Sequence, residues 1–279
     1  MKISLEEMTQ INKIQLNIFR SFIDVCDKLN LTYYMVHGSL LGTLRYKGFF
    51  PFDDDIDVAM PRRDYDKFIS EGQKFLPCHL FIQSYATEEQ FPLAFAKIRN
   101  SDTAFIQPLL KKCSVNMGIY IDVFPIDYFP EKKSKQKWLQ FKEKLLTYKI
   151  NSKLVNKANC NFFKRFFYFF VSIFTVSISK NIKKRAELYR KIGKSSNVVI
   201  VGAKDKEKGI PAQWFEKCCV MDFEGVQVKC PAFYGQYLTK IYGDYTNYDP
   251  SKKYRDSSNL VEISAELFST TQSYKDLIY

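Results

Sequence analysis

The sequence is short of the residues that build thiolate or disulfide frameworks. It has two histidines and seven cysteines, at 26, 78, 113, 160, 218, 219 and 230, an odd number with no C-x-x-C pair. A zinc site or a disulfide scaffold is not expected, and a reducing compartment is. Long apolar runs are missing too: the most apolar part of the chain is uncharged only from Phe166 to Ser179, short of the roughly 20 residues a spanning helix needs. The opening MKISLEEMTQ has acids where an export signal needs an apolar core, so export is not expected. Internal repeats are absent. Acids are the scarcer charge, 30 against 42 Lys and Arg, for a net +12. That excess suits an anionic partner such as a nucleotide or an acidic membrane surface. Dispersed lysines without an RNA-binding motif argue against a nucleic-acid module.

What is abundant is aromatic residues, 16% of the chain, and one dense stretch of chemistry. Residues 34–66 read YMVHGSLLGTLRYKGFFPFDDDIDVAMPRRDYD. An apolar run ends at Gly38-Ser39, and a helix is expected over 39–47, closed by Gly48. Phe49, Phe50, Pro51 and Phe52 then lead into Asp53-Asp54-Asp55-Ile56-Asp57. If Ile56–Met60 is a strand, Asp55 and Asp57 share a face while Ile56 turns to the core. Two carboxylates on one face repel unless a cation lies between them. A divalent metal held by oxygen ligands, its shell completed by phosphates, meets that need. The Gly-Ser turn opening a helix offers N–H groups to a phosphate. An EF-hand loop fails here because Val58 and Asp64 stand where Gly and Glu are required.

These residues resemble the nucleotidyltransferase superfamily, and the string GSLLGTLRYKGFFPFDDDIDVAMPRRDY resembles its LicD branch, phosphocholine transferases related to fukutin and fukutin-related protein. The chain departs from that pattern at His37, where Gly is common, at Tyr46 for His and at Phe52 for Trp. AKIRNSDTAFI, VFPIDYFP and FEGVQVKCPAFYGQYLTKIYGDY are LicD-like further along, so the resemblance covers about 30–128 and 220–250. It implies an α+β fold, a nucleotidyltransferase-like mixed sheet flanked by helices. It also implies Mg²⁺ (or Mn²⁺) held by Asp55 and Asp57, with Asp53 supporting the site. Gly38 and Ser39 would cradle the phosphates, with Arg45, Lys47 and Lys97 as further substrate contacts. The implied reaction moves a phospho-alcohol, phosphocholine from CDP-choline, onto a sugar hydroxyl of a cell-surface glycan or glycolipid. It would run at the cytoplasmic face of the inner membrane, as in lipopolysaccharide biosynthesis. A metal-dependent glycosyltransferase with a nucleotide-sugar donor is the alternative, though its D-x-D motif usually lacks the Gly-Ser helix.

Elsewhere the periodicity is plain. Ser4 and Glu7 form a capping box for a helix over 4–30 with Ile11, Ile14, Ile18, Phe22, Val25 and Leu29 on one face. Pro61 introduces a helix through about Phe75 with Phe68 and Phe75 inward. Arg62 and Arg63 form a solvated face or offset the acids. Strands are expected at 79–84, 91–99 and 103–107, the last two joined as a hairpin by Asn100–Asp102. Lys97 and Arg99 share one face of a half-exposed strand. Asp122 lies alone in the apolar run GIYIDVFP, where a carboxylate is costly unless paired or metal-bound. In nucleotidyltransferases a third acid comes from such a strand, so Asp122 is expected to be the catalytic base, with a third metal ligand or a hydrogen-bonded structural acid as the alternatives. Asp127 is placed in a turn.

Three segments follow from this: 1–130 as the catalytic core with its leading helix, 131–210 as a mainly helical insertion, and 211–279 as the closing part of the same domain. Within the insertion, Trp138, Phe141 and Leu145 share a side, and 161–180 is either a membrane-surface helix or a buried core helix. Phe223, Val226 and Val228 suggest a hairpin, with a helix from Pro231 to Ile241. The tail from 250 is expected to be loose.

Overall fold

The structure is a computed structural model, and it describes residues 1–51, 53–154, 162–173, 175, 177–190, 192, 196–202, 209–248 and 260–278. Strand β1 (Lys2–Ile3) leads into α1 (Leu5–Leu29). Ser4 Oγ accepts the Glu7 N–H at 3.2 Å, and the Glu7 carboxylate accepts the Ser4 N–H at 2.7 Å, which closes the expected capping box. β2 (Tyr34–Met35) and α2 (His37–Tyr46) follow. Lys47, not Gly48, takes the left-handed conformation that ends α2, with φ 51°. Phe52 lies outside the described residues.

Next come β3 (Asp57–Pro61) and α3 (Arg62–Glu71). The helix expected to reach Phe75 tightens at Gly72 into a 3-10 turn. The changed pitch leaves Phe75 exposed rather than inward, while Phe68 is buried. β4 (Leu80–Gln83), β5 (Ala96–Asn100) and β6 (Ala104–Ile106) are shorter than expected, β5 starting only at Ala96. The expected hairpin does not form: β5 and β6 leave the turn for different sheets.

β7 (Ile119–Tyr128) is the long central strand, parallel to β3 on one side and antiparallel to β5 on the other. It is buried on both faces, which is why its sequence is a near-continuous apolar run. The same burial corrects two expectations. β5 lies between β4 and β7, so Lys97 and Arg99 are buried rather than half-exposed. Asp127 belongs to β7 rather than to a turn, and accepts two hydrogen bonds from Arg62, at 2.7 and 2.6 Å. Arg62 therefore serves Asp127 and Asp66, not the acidic cluster, while Arg63 is exposed.

Three helices follow, α4 (Lys133–Leu154), α5 (Phe162–Ile173) and α6 (Ile178–Ala186). β8 (Val198–Val201) then pairs with the far half of β7, and β9 (Ile210–Pro211) with β8. The apolar run at 161–180 is thus divided between two helices, and the phenylalanines of α5 are exposed while Tyr168 is buried. No helix among the described residues is long and apolar enough to cross a membrane.

β10 (Cys218–Phe223) and β11 (Val226–Pro231) form the expected hairpin, and α7 (Tyr234–Tyr242) starts three residues after Pro231. The tail is only partly as expected. Residues 249–259 lie outside the described residues, but β12 (Val261–Glu262) pairs with β1, and β13 (Leu267–Ser269) with β6, ahead of α8 (Tyr274–Ile278). The architecture is mixed α+β, and the six described cysteines form no disulfide; Cys160 is outside the described residues.

Candidate active site

Strand register builds the site. Asp57 of β3 lies opposite Asp122 of β7 in the parallel pair, and Asp122 lies opposite Lys97 of β5 in the antiparallel one. Three neighbouring strands thus put acid, acid and base in one row, across spacings of about 4.8 Å. Asp55 precedes β3 and joins the row: Asp55, Asp57 and Asp122 each bring a carboxylate oxygen within 4.8 Å of the others. Asp57 and Asp122 are buried and Asp55 half-buried.

Lys97 donates a hydrogen bond to Asp122, and its ammonium sits 3.3 Å from the centre of the Tyr120 ring. Burial lowers the Lys97 pKa to about 8, with Asp122 opposing the shift. Arg99, beneath the same ring, donates to Gln83 Oε1 and at 2.6 Å to the Gly118 carbonyl. Burial lowers it to about 10. Tyr120, buried among these acids, is raised well above its ordinary value by burial first and then by Asp122. Three carboxylates this close together in a largely buried place repel one another, which favours a cation between them. The donors are all hard oxygens with no thiolate, and such a set fits Mg²⁺ or Mn²⁺.

The Gly-Ser turn abuts this row. Ser39 Oγ accepts the Asp57 N–H at 2.8 Å, which ties α2 to β3 directly at the acid. A Cβ added to Gly38 would lie 2.6 Å from Asp53 Oδ2. Asp53 therefore leans over the start of α2, in a space only glycine leaves open. Gly38→Ala should displace the Asp53 carboxylate at little cost to the fold. The expected result is an unchanged melting temperature with about a tenfold or larger loss of turnover; unaltered kinetics would detach Asp53 from the reaction.

His37, marked in the sequence only as a departure from the resembled pattern, joins the site. Its Nδ1 is 3.4 Å from Asp57 Oδ2, and its ring meets Phe124 edge-on at 5.2 Å. Its φ is 51°, a left-handed conformation that favours glycine. The backbone at this position suits the glycine common in the family pattern, and a His there costs about 1 kcal/mol of strain. Gln15 of α1 is a second such residue. Its Nε2 donates to the Asp54 carbonyl at 2.7 Å and the Tyr120 carbonyl at 3.2 Å, holding the acidic loop against β7. Its one signal in the sequence is a polar side chain within the apolar face of the helix. Asp54 brings a carboxylate oxygen within 4.8 Å of those of Asp53 and Asp55, and its carboxylate accepts the Ser264 N–H at 3.0 Å.

Arg45 and Lys47 are exposed at the far end of α2, Arg45 about 12 Å along the axis from His37 by helical rise and Lys47 just past the last turn. Arg45 donates to the Tyr248 carbonyl at 2.6 Å and lies over the Phe50 ring. The structure brings Asp53, Asp55, Asp57, Asp122, Gly38, Ser39 and Lys97 together, and leaves Arg45 and Lys47 at the periphery.

The fold and this cluster define an α+β protein with a buried acid row beside a helix opened by Gly-Ser. The family model described as "LicD/FKTN/FKRP, nucleotidyltransferase domain" matches residues 30–155, which include the whole row. The chain is also 29% identical over 253 residues to the lipopolysaccharide cholinephosphotransferase LicD of Haemophilus influenzae, covering 85% of this chain and 90% of that protein. A shorter similarity, 37% over 54 residues, links it to an uncharacterized protein of Rickettsia typhi, with 19% of this chain and 16% of that protein covered. Residues 30–155 thus match the nucleotidyltransferase domain of the LicD, fukutin and fukutin-related group, and that matched stretch contains the acid row.

Proposed function

We propose that this protein is a cholinephosphotransferase of the LicD type, moving phosphocholine from CDP-choline to a sugar hydroxyl. The acceptor is a cell-surface glycan or glycolipid, of the lipopolysaccharide kind named for the Haemophilus relative. In this reading the chain divides into a nucleotidyltransferase-like core, a helical insertion and a closing segment. We place the protein at the cytoplasmic face of the inner membrane. The observation that carries the reading is the convergence of Asp55, Asp57 and Asp122 within 4.8 Å beside the Ser39-anchored helix.

When bound, Mg²⁺ or Mn²⁺ would neutralise the diphosphate and the charge left on the departing CMP. Asp55, Asp57 and Asp122 would hold it. Asp122 suits a ligand role better than a base role, because the Lys97 ammonium against it favours the ionised carboxylate and weakens it as a proton acceptor. Lys97 likewise suits the task of holding Asp122 rather than meeting phosphate itself. Gly38 and the first turn of α2 would receive the phosphate oxygens, with Arg45 and Lys47 contributing positive field from the helix's far end. The acceptor oxygen attacks the phosphorus that bears the choline ester, the bond to CMP breaks, and the hydroxyl proton passes to a base. Asp53, the carboxylate at the start of α2, is the one we assign to take it.

The test is donor hydrolysis and transfer. Purified protein with Mg²⁺ should release CMP from CDP-choline, faster when a sugar acceptor is added, and should leave UDP-sugars intact. Release of UDP from a UDP-sugar with no CMP would replace this reading with a metal-dependent glycosyltransferase.

A further inference from the structure

The helices after β7 have an apolar face directed at solvent. On α5, Phe162, Phe163, Phe166, Phe167, Phe169, Phe170 and Ile173 are all exposed, Phe163 by 83%. At about 100° per residue these positions cover roughly 160° of the helix surface. Tyr168 lies on the other side, buried against Tyr148 of α4. A helix serving a protein core turns its apolar side inward, and this one turns it out. α4 extends the same character: Trp138, Phe141 and Leu145 are exposed, and the Trp138 and Phe141 rings stack at 5.9 Å. An apolar surface of this extent marks a contact with something.

Charge selects the occupant. α4 carries lysines at 133, 135, 137, 142, 144, 149 and 153 and one acid, Glu143, which is buried and accepts the Tyr189 hydroxyl at 2.6 Å. No acid occurs in α5 or α6, and α6 adds exposed Lys180, Lys183 and Lys184. The exposed Lys142 places its ammonium over the Trp138 ring, 4.7 Å from its centre. Exposed aromatics interleaved with lysines, and no exposed acid on these helices, complement an anionic lipid surface. Length sets the orientation. α5 has 12 residues, about 18 Å, against about 30 Å of bilayer hydrocarbon, so it fits along the interface and not across it.

We infer that α4 and α5 form a docking ledge that lies in the headgroup region of an anionic bilayer, with the phenylalanines of α5 inserted and the lysines of α4 on the phosphates. A lipid-linked acceptor would be presented at that surface. The ledge holds none of the residues of the acid row, so it stands or falls separately from the phosphotransfer reading.

Vesicle flotation of the full chain tests it. The protein should float with vesicles containing about a third phosphatidylglycerol, bind phosphatidylcholine vesicles far more weakly, and be released in about 1 M salt, where charges are screened within about 3 Å. The triple variant Phe163→Ser, Phe166→Ser, Phe170→Ser alters only exposed positions. It should lose at least about 100-fold in vesicle affinity while releasing CMP from CDP-choline with a soluble acceptor at the wild-type rate. Lys142→Glu with Lys144→Glu should weaken binding to the anionic vesicles. Wild-type protein that stays with the unbound fraction on both lipids overturns the inference. So does a wild-type dimer that the triple serine variant converts to monomer, because a second copy would then cover the face.

Discussion

Asp57→Asn should abolish turnover, by about 10³-fold or more, in a protein that folds as well as wild type or better. The carboxylate is buried between Asp55 and Asp122, with its backbone N–H pinned by Ser39 and the His37 ring at 3.4 Å. Without a cation, its negative charge is repelled by its neighbours, so neutralising it relieves strain in the metal-free protein. With a cation, the same change removes a ligand. The two effects have opposite signs, which separates a ligand from a structural acid. In chelator the variant should melt at or above the wild-type temperature, while added Mg²⁺ and nucleotide should stabilise wild type and not the variant. Equal Mg²⁺-nucleotide stabilisation of both proteins by calorimetry would remove Asp57 from the metal site.

The second expectation concerns the Lys97–Asp122 pair, both members of which are buried. Lys97→Met should destabilise the metal-free protein by about 3–5 kcal/mol, because it leaves Asp122 facing two other carboxylates without its counter-ion. Asp122→Asn should cost less: the amide oxygen still accepts from Lys97, and burial already weakens that ammonium's hold on its proton. The double variant should recover most of the loss from Lys97→Met, a coupling readable from a denaturation cycle. In kinetics, Asp122→Asn should lose donor binding and turnover together, as a ligand does. Intact donor binding with lost turnover would restore the base role that the isolated sequence allows. If Lys97→Met left stability unchanged and only weakened donor affinity, Lys97 would be a phosphate contact instead of the counter-ion.

Much of this arrangement is legible in the order of the residues. The capping box at Ser4, the apolar period of the first helix and the D-h-D string bounded by apolar residues each reflect interactions within a few residues, and local spacing carries such information. The lone Asp122 in GIYIDVFP is an equally local signal, since an acid in a buried run needs a partner somewhere. Its partner is not local. Lys97 and Asp57 meet Asp122 only because β7 lies between β3 and β5, and strand order depends on pairings tens of residues apart. For the same reason Lys97 and Arg99 read as a half-exposed face: alternation shows that two side chains share a side, not whether another layer covers it. Asp127 reads as a turn acid because its partner, Arg62, stands 65 residues away.

Backbone conformation divides in the same way. Gly38 is recognisable as a residue that lets a ligand or side chain approach, and Asp53 proves to be the group that approaches. The left-handed φ at Lys47 is not announced by its residue type, and at His37 its one signal is the glycine common at that place in the resembled pattern. The sequence by itself determined the acids of the row, the helix that opens beside them and the stretch, residues 30–155, that matches the LicD domain. The tertiary structure alone decided that Lys97 is the counter-ion of Asp122, that Gln15 and Ser264 brace the acidic loop, and that the phenylalanines of α5 face outward. Each of those depends on which surfaces the long-range pairings cover, and a covered surface is a property of the packed chain, not of any stretch within it.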